Sequence, residues 1–310
     1  MNKREFIFPS ATGICEIYCC EYTPESGCVK AVIALHHGMA EHQQRYIDFI
    51  EYLVSKGYAV FMHDMANHGR SNQKKDELGY FGESGGYSAL IQDYKTIVVT
   101  AKSKYPDKKI VVMGHSMGSF IARCFDGRYP ELSDCSVYIG TGGPNPAAGI
   151  GDKLSLAIAK GKGKKHKSSF LDKMTFGAYN NKFEKRTTFD WLTRDNNIVD
   201  KYINDPLCGF LFTVQGMNDL VKLNIEANSD KCFSAVRKNL PVLVVSGEMD
   251  PVGNYGKGVT QVYEKLRATG HQNAQLKLFK DCRHEVLNEH NKQEVYDCIN
   301  SFIENNVLGD

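Results

Sequence analysis

Apolar positions along the chain follow two periods that alternate. Val29–His37 (VKAVIALHH) is an almost unbroken apolar run, as expected of a strand covered on both faces. Tyr58–Asp64, Lys109–Gly114, Ser136–Gly140, Pro241–Ser246 and Ala274–Phe279 repeat the pattern. Between them, apolar residues recur every three or four positions. This predicts helices over Arg45–Lys56, Tyr87–Tyr105, Ser116–Tyr129, Tyr255–Thr269 and Lys292–Asn305. Strand and helix in alternation predict an α/β fold, a mostly parallel central sheet with helices on both faces. Residues 1–25 read as an antiparallel hairpin turning near Ala11-Thr12-Gly13 at a sheet edge.

One interval departs from the rhythm. Nearly a hundred residues separate the sixth strand, ending near Gly143, from the next at Pro241, far more than one crossover needs. The interval shows helix and loop patterns and no strand. From Phe170 to Phe212 it holds nine aromatics in 43 residues, Trp191 among them, about twice the 11% of the whole chain. Linkers are poor in aromatics, so this segment reads as an insertion. The expected organisation is a core of residues 1–144 and 236–310, with a helical cap, 145–235, inserted after the sixth strand.

Composition narrows the class. The chain has 310 residues, 42% hydrophobic and 24% charged, enough for a buried core without staples. Lys and Arg number 38 against 36 Asp and Glu, a net charge of +2 that gives no electrostatic basis for a nucleic-acid partner. No apolar run is long enough for a transmembrane helix, and the basic N-terminus reaches no signal-like stretch. The ten Cys show no Cys-x-x-Cys pairing and read as reduced, mostly buried thiols. A cytoplasmic protein without a metal is expected.

The most informative segment is Gly114-His115-Ser116-Met117-Gly118, which follows the run KIVVM and precedes a helical pattern. That setting suits a nucleophile elbow. Ser116 would sit on a strained strand-to-helix turn, its hydroxyl above the sheet, flanked by glycines that let neighbouring chain approach. A serine needs a base, and His284 lies just past the last predicted strand, at the same sheet edge. His290 and His166 read as surface residues, His271 as part of a surface turn, and His63 and His68 as structural hydrogen-bonders. Asp250 stands past PVLVVS, with Pro251 biasing it to an extended conformation. It is preferred over Glu248 as the acid that orients His284. The order Ser116, Asp250, His284 is that of the α/β-hydrolase fold.

Two backbone N–H groups should face the tetrahedral oxyanion. One belongs to Met117, directly after the nucleophile. The other belongs to Met39, in the loop His36-His37-Gly38-Met39 after an early strand. Adjacent histidines at a strand end point apart, so His36-His37 does not read as a metal site. His37, Gly38 and His115, beside these donors, are expected to border the substrate.

With these residues placed, the chain resembles the monoacylglycerol lipase and lysophospholipase branch of the α/β-hydrolases, which overlaps the serine aminopeptidase-like group. The matching pieces are His37-Gly38-Met39-Ala40-Glu41-His42 with Arg45-Tyr46, then Asp64 with Asn67-His68-Gly69-Arg70-Ser71. They continue with the Ser116 pentapeptide, Gly247-Glu248-Met249-Asp250-Pro251-Val252-Gly253, and Arg283-His284-Glu285. The resemblance spans roughly residues 30 to 305. It implies the same nucleophile, acid, base and oxyanion donors, and no cofactor. Ala66-Asn67-His68-Gly69 departs from the Arg-Gly-His-Gly usual in the family.

An aromatic-rich cap over a nucleophile predicts a hydrophobic acyl tunnel, with Phe210 and Phe212 as its candidate lining, although such aromatics also form a cap's own core. Residues 145–235 carry 14 Lys and Arg against 10 Asp and Glu. That charge fits transient contact with an anionic lipid surface, or a solvated loop at Lys160–Lys167. The expected activity is hydrolysis of a small-molecule acyl ester, a monoacylglycerol or lysophospholipid, through an acyl-enzyme on Ser116. The alternatives are a serine aminopeptidase, a small-ester or thioester hydrolase of the same fold, and a non-catalytic ligand receptor. The complete Ser116, Asp250 and His284 set counts against the receptor.

Overall fold

The structure, a computed structural model, describes residues 1–72 and 74–309. The N-terminal hairpin is β1 (Asn2–Pro9) and β2 (Glu16–Thr23), in antiparallel register from Asn2 opposite Thr23 to Pro9 opposite Glu16. Then follow β3 (Val32–His36), α1 (Ile47–Ser55), β4 (Ala59–His63), α2 (Gly86–Lys104), β5 (Ile110–His115), α3 (Met117–Arg128) and β6 (Cys135–Ile139). Five helices separate β6 from the next strand. They are α4 (Ala148–Lys162), α5 (Ser169–Phe176), α6 (Asn196–Asn204), α7 (Val214–Ala227) and α8 (Asp230–Ala235). The chain closes with β7 (Val242–Gly247), α9 (Lys257–Ala268), β8 (Ala274–Phe279) and α10 (Lys292–Ile303).

One eight-stranded sheet runs in the order β1-β2-β4-β3-β5-β6-β7-β8. Only the pairs β1–β2 and β2–β4 are antiparallel. Every residue of β3, β4, β5, β6 and β7 is buried, which is why their sequences read as unbroken apolar runs. At the edge, β8 alternates buried and exposed positions, as a half-covered strand should. Ile91, Tyr94, Ile121, Phe125 and Val262 pack on one face of the sheet. Phe49, Leu53, Tyr296, Ile299 and Phe302 pack on the other.

Strand order reverses between β3 and β5, since β4 lies on one side of β3 and β5 on the other. Open parallel sheets form their crevices at the carboxyl ends of strands beside such a switch. The loop from His37 and the turn at Ser116 therefore leave the sheet side by side.

Two local differences from the sequence reading matter for the site. The helix expected from Arg45 begins with a 3₁₀ turn, Gln43–Tyr46, where the Gln43 N–H donates to Asp64 Oδ1 at 2.8 Å. Asn67 stands at φ +51°, a left-handed conformation that Asn tolerates. Its amide donates to the Tyr80 carbonyl at 2.8 Å and holds the turn.

Within the interval from β6 to β7, α4 packs along α7, and α7 and α8 pack on α3. Leu223, Ala227 and Phe233 share the hydrophobic core of the sheet. Leu192, Tyr202 and Cys208, with Phe189 and Trp191, form a separate small cluster.

Candidate active site

Ser116 occupies the junction of β5 and α3 at φ +54°, ψ −121°, a strained conformation for a residue with a Cβ. Its N–H donates to the Ile139 carbonyl at 2.9 Å, and its own carbonyl accepts from the Ser119 N–H at 2.8 Å. The flanking glycines are steric requirements. A Cβ on Gly114 would stand 2.1 Å from the Gly118 carbonyl oxygen. One on Gly118 would stand 2.5 Å from the carbonyl oxygens of both His36 and His37. The first turn of α3, with the Met117 N–H, is therefore pressed against the end of β3 and the Gly38-Met39 loop.

His284 lies 3% exposed in the loop after β8, and Asp250 is fully buried in the loop after β7. The His284 Nδ1–H is shared between both Asp250 oxygens at 3.0 Å each. Asp250 also accepts from the Ser246 hydroxyl and the Val252 N–H, each at 2.8 Å. These bonds fix the carboxylate, and the carboxylate fixes the imidazole with Nε2 free. Glu248 is exposed and stands outside this arrangement. A Cβ on Gly140, the residue after Ile139, would lie 3.2 Å from His284 Cε1. Ser116, through Ile139, and the His284 ring, beside Gly140, thus both border the carboxyl end of β6.

Beneath them lies a charged lattice. Arg45 donates twice to Glu285, at 2.8 and 2.7 Å, and once to Glu41. Glu285 directly follows His284. The other Glu41 oxygen accepts from the Gly38 N–H and the Tyr46 hydroxyl, both at 2.6 Å. One guanidinium thereby ties the loop carrying Met39 to the loop carrying His284. Burial would raise the Glu41 carboxyl, but Arg45 and His115 outweigh it and hold it well below the usual carboxylate range.

His115 completes the lattice. Its Nδ1 lies 2.8 Å from the Tyr46 oxygen, and its Nε2 lies 3.3 Å from the His284 carbonyl. The single Tyr46 proton goes to the Glu41 carboxylate, so His115 Nδ1 must donate to the Tyr46 oxygen. A carbonyl only accepts, so Nε2 must donate as well. With both nitrogens donating, the ring is an imidazolium. Burial pulls its pKa down, but Glu41 and Glu285 outweigh that and leave it raised above the ordinary 6.5.

The other expected residues fall into two groups. Met39 and Phe210 line a cavity of about 860 Å³, with Ala40, Phe176, Phe189, Trp191 and Tyr202. Its rim carries Asp172, Lys173, Lys185 and Arg186. Phe212, expected at the acyl tunnel, instead packs in the core. It is 2% exposed, against Phe81 and His68, and is absent from the cavity lining. A period of two separates Phe210 from Phe212, and only one of them reaches the cavity. Gly38 stands beside the candidate nucleophile, where an added Cβ would lie 3.1 Å from Ser116 Cβ. His37, expected at the substrate, is fully buried and internally bonded. Its Nδ1 donates to the Gly38 carbonyl at 2.8 Å and its Nε2 accepts from the Met65 N–H at 2.9 Å. His115 is likewise 4% exposed and committed to internal bonds.

Among the remaining histidines, His290 is exposed and His166 half-buried. His68 bonds the Ala66 carbonyl and the Ala40 N–H. The His63 ring, expected as a structural hydrogen-bonder, has no partner for either nitrogen, and His271 is fully buried, not part of an open surface turn.

Sequence reasoning did not assign Trp191, whose ring centroid lies 5.3 Å from that of His284 and whose carbonyl accepts the His284 N–H at 3.4 Å. Nothing in its local pattern marks it. Glu41, Arg45, Tyr46 and Glu285 were visible as matched motif residues, but their roles depend on a contact between residues 240 positions apart.

Comparisons with known proteins agree with this architecture. The profile of the serine aminopeptidase S33 family matches residues 27–291. A monoglyceride lipase homolog of monkeypox virus is 27% identical over 93% of this chain and 94% of its own length. A monoacylglycerol lipase of Mycolicibacterium smegmatis is 26% identical over 97% of each chain. The crystal structure of a thermostable carboxyl esterase from Bacillus coagulans superposes with a TM-score of 0.92 at 28% identity, covering 99% of both chains. With the profile spanning most of its length and the sheet of an α/β-hydrolase beneath it, the chain belongs to the serine aminopeptidase S33 family of hydrolases.

Proposed function

We propose that this ester hydrolase cleaves monoacyl lipids, a monoacylglycerol or a lysophospholipid, through an acyl-enzyme on Ser116. The observation that carries the reading is the cavity of about 860 Å³. Met39, which follows Gly38 beside Ser116, is part of its lining, together with Phe176, Phe189, Trp191, Tyr202 and Phe210. That volume lies within the range of small-molecule sites, and an aromatic wall suits an acyl chain.

In this mechanism His284 Nε2 takes the Ser116 proton as Oγ attacks the ester carbonyl. The Met39 and Met117 N–H groups hold the oxyanion. The imidazolium, oriented by Asp250, then protonates the leaving alcohol, and water activated by the same ring releases the fatty acid. No cofactor enters the scheme.

The cavity lining carries one carboxylate, Asp172, against Lys173, Lys185 and Arg186. This charge suits a neutral or anionic headgroup and not the free amine of an aminopeptidase substrate. Residues 145–235 act as the cap in this reading, and Ile150, Phe170 and Met174, 54–66% exposed among lysines, give it a face for transient contact with a lipid surface. No helix of the described residues is long and apolar enough to cross a membrane. Ten free cysteines accord with a cytoplasmic location.

A panel of monoacylglycerols, lysophospholipids, acetyl esters and aminoacyl amides, run on wild type beside Ser116→Ala, tests the proposal. Turnover favouring medium or long acyl chains and lost in the variant is expected. Preference for acetyl esters or amides overturns the lipid reading.

A further inference from the structure

His42 and the Asp205–Cys208 turn come from loops far apart in sequence, yet their donor atoms converge. A His42 ring nitrogen, an Asp205 carboxylate oxygen and the Cys208 sulfur all lie within 4.8 Å of one another. His42 and Cys208 are each 8% exposed. We propose that these three side chains form a binding site for a thiophilic divalent cation of the zinc class, which clamps the loop after α6 against the loop after β3 and slows the enzyme.

The donor set is chemically apt. Nitrogen, oxygen and sulfur together suit a borderline-soft cation, and three protein ligands leave a fourth position for water. Asp205 Oδ1 is occupied by the Leu207 N–H at 2.8 Å, while Oδ2 faces His42 Nε2 at 2.8 Å. A tetrahedral zinc ion with bonds of about 2.0–2.3 Å holds its donors roughly 3.3–3.8 Å apart. The His42–Asp205 pair must open by about half an ångström and the sulfur close by at most about one, within reach of side-chain rotation.

Local charge favours a cation. Arg45 is bonded to both Glu41 and Glu285, and the His115 imidazolium balances this set, so the Asp205 carboxylate leaves the site net negative. Access is open, because His42 and Asp205 line a groove of about 840 Å³ on the outer side. On binding, the Cys208 thiol loses its proton to solvent and the sulfur–metal bond forms. His42 gives up its hydrogen bond to Asp205, the Nε2 proton is exchanged through solvent to Nδ1, and the freed Nε2 lone pair coordinates the ion.

The consequence follows from what the two loops carry. The Gly209 N–H and the Tyr202 hydroxyl already bind the Ala40 carbonyl, at 2.9 and 3.1 Å. Ala40 adjoins Met39, while Gly209, Phe210 and Leu211 form part of the cavity wall. None of the three ligands lines the cavity, so the ion restrains that wall without blocking it.

Zinc binding to the full chain, measured by competition with a chromophoric chelator, tests the site, with cobalt(II) as a probe for thiolate charge-transfer absorption. One ion per chain is expected, with affinity falling about tenfold or more in both Cys208→Ser and His42→Gln, and unchanged in Cys28→Ser, which removes an exposed thiol. His42→Gln keeps every cysteine, so weakening there reports the site and not the thiol count. Zinc should also slow fluorophosphonate labelling in wild type and leave both ligand variants unaffected. Equal zinc affinity in wild type and the two ligand variants overturns the proposal, as does no binding at about 100 μM zinc, a concentration far above that needed to fill a micromolar site.

Discussion

The Nε2 nitrogen of His115 lies 3.3 Å from the carbonyl oxygen of His284. The residue before the candidate nucleophile thus holds the backbone of the candidate base, while its other nitrogen reaches Glu41 through Tyr46. Because this lattice also binds the Gly38 N–H, the loops bearing Ser116, Met39 and His284 are braced by one set of charges.

His115 should make stability depend on pH. Its folded-state pKa is raised above 6.5, so its contribution is fully present below that value and is lost as pH rises through the folded value. The stability gap between wild type and His115→Gln, from urea unfolding at a series of pH values, should therefore shrink between ~pH 6 and ~pH 9. A constant gap across that interval would show that folding does not raise the ring's pKa.

Replacing Ser116 by Ala should abolish labelling by a fluorophosphonate probe and lower kcat by roughly 10⁴–10⁶-fold, leaving only binding and oxyanion contributions. Labelling that persists in the variant would move the nucleophile elsewhere.

Asp250→Asn should lower kcat by about 10⁴-fold with the fold retained, since the amide favours the wrong imidazole tautomer. Glu248→Gln, at an exposed position, should change little. Parallel kinetics and circular dichroism on both variants decide between the two acids.

The pair Phe210 and Phe212 separates specificity from stability. Phe210→Ala should raise KM for long-chain esters and scarcely alter Tm, because its ring lines the cavity. Phe212→Ala should cost about 3–5 kcal/mol of stability, because it empties a packed site. Chain-length kinetics and thermal unfolding on the two variants check the division.

Arg45→Met strands Glu285 and Glu41 in the interior. Leaving buried charges unpaired costs about 3–5 kcal/mol, so Tm should fall sharply. The double variant Arg45→Met/Glu285→Leu should recover part of that loss, as measured in a double-mutant cycle.

Much of this architecture is written locally. Residues buried on both faces must be apolar at every position, so the central strands announced themselves. Gly114 and Gly118 were legible because close backbone approach excludes a Cβ whatever the wider fold. Ser116, Asp250 and His284 each lie just past a strand run, and a parallel sheet gathers such ends at one edge.

What the sequence could not decide depended on distance along the chain. Phe210 and Phe212 have the same chemistry two positions apart, and only packing against His68 and Phe81 turned one inward. Trp191 acquires its place because its loop folds back over His284. The charge on His115 follows from where one tyrosine proton goes, which no linear pattern encodes. Local sequence determined the period, the turns and the order of the candidate reactive groups, because those obey short-range sterics and burial. Tertiary structure decided which side chains share a proton, a cavity or an ion, because those relations arise only when distant loops meet.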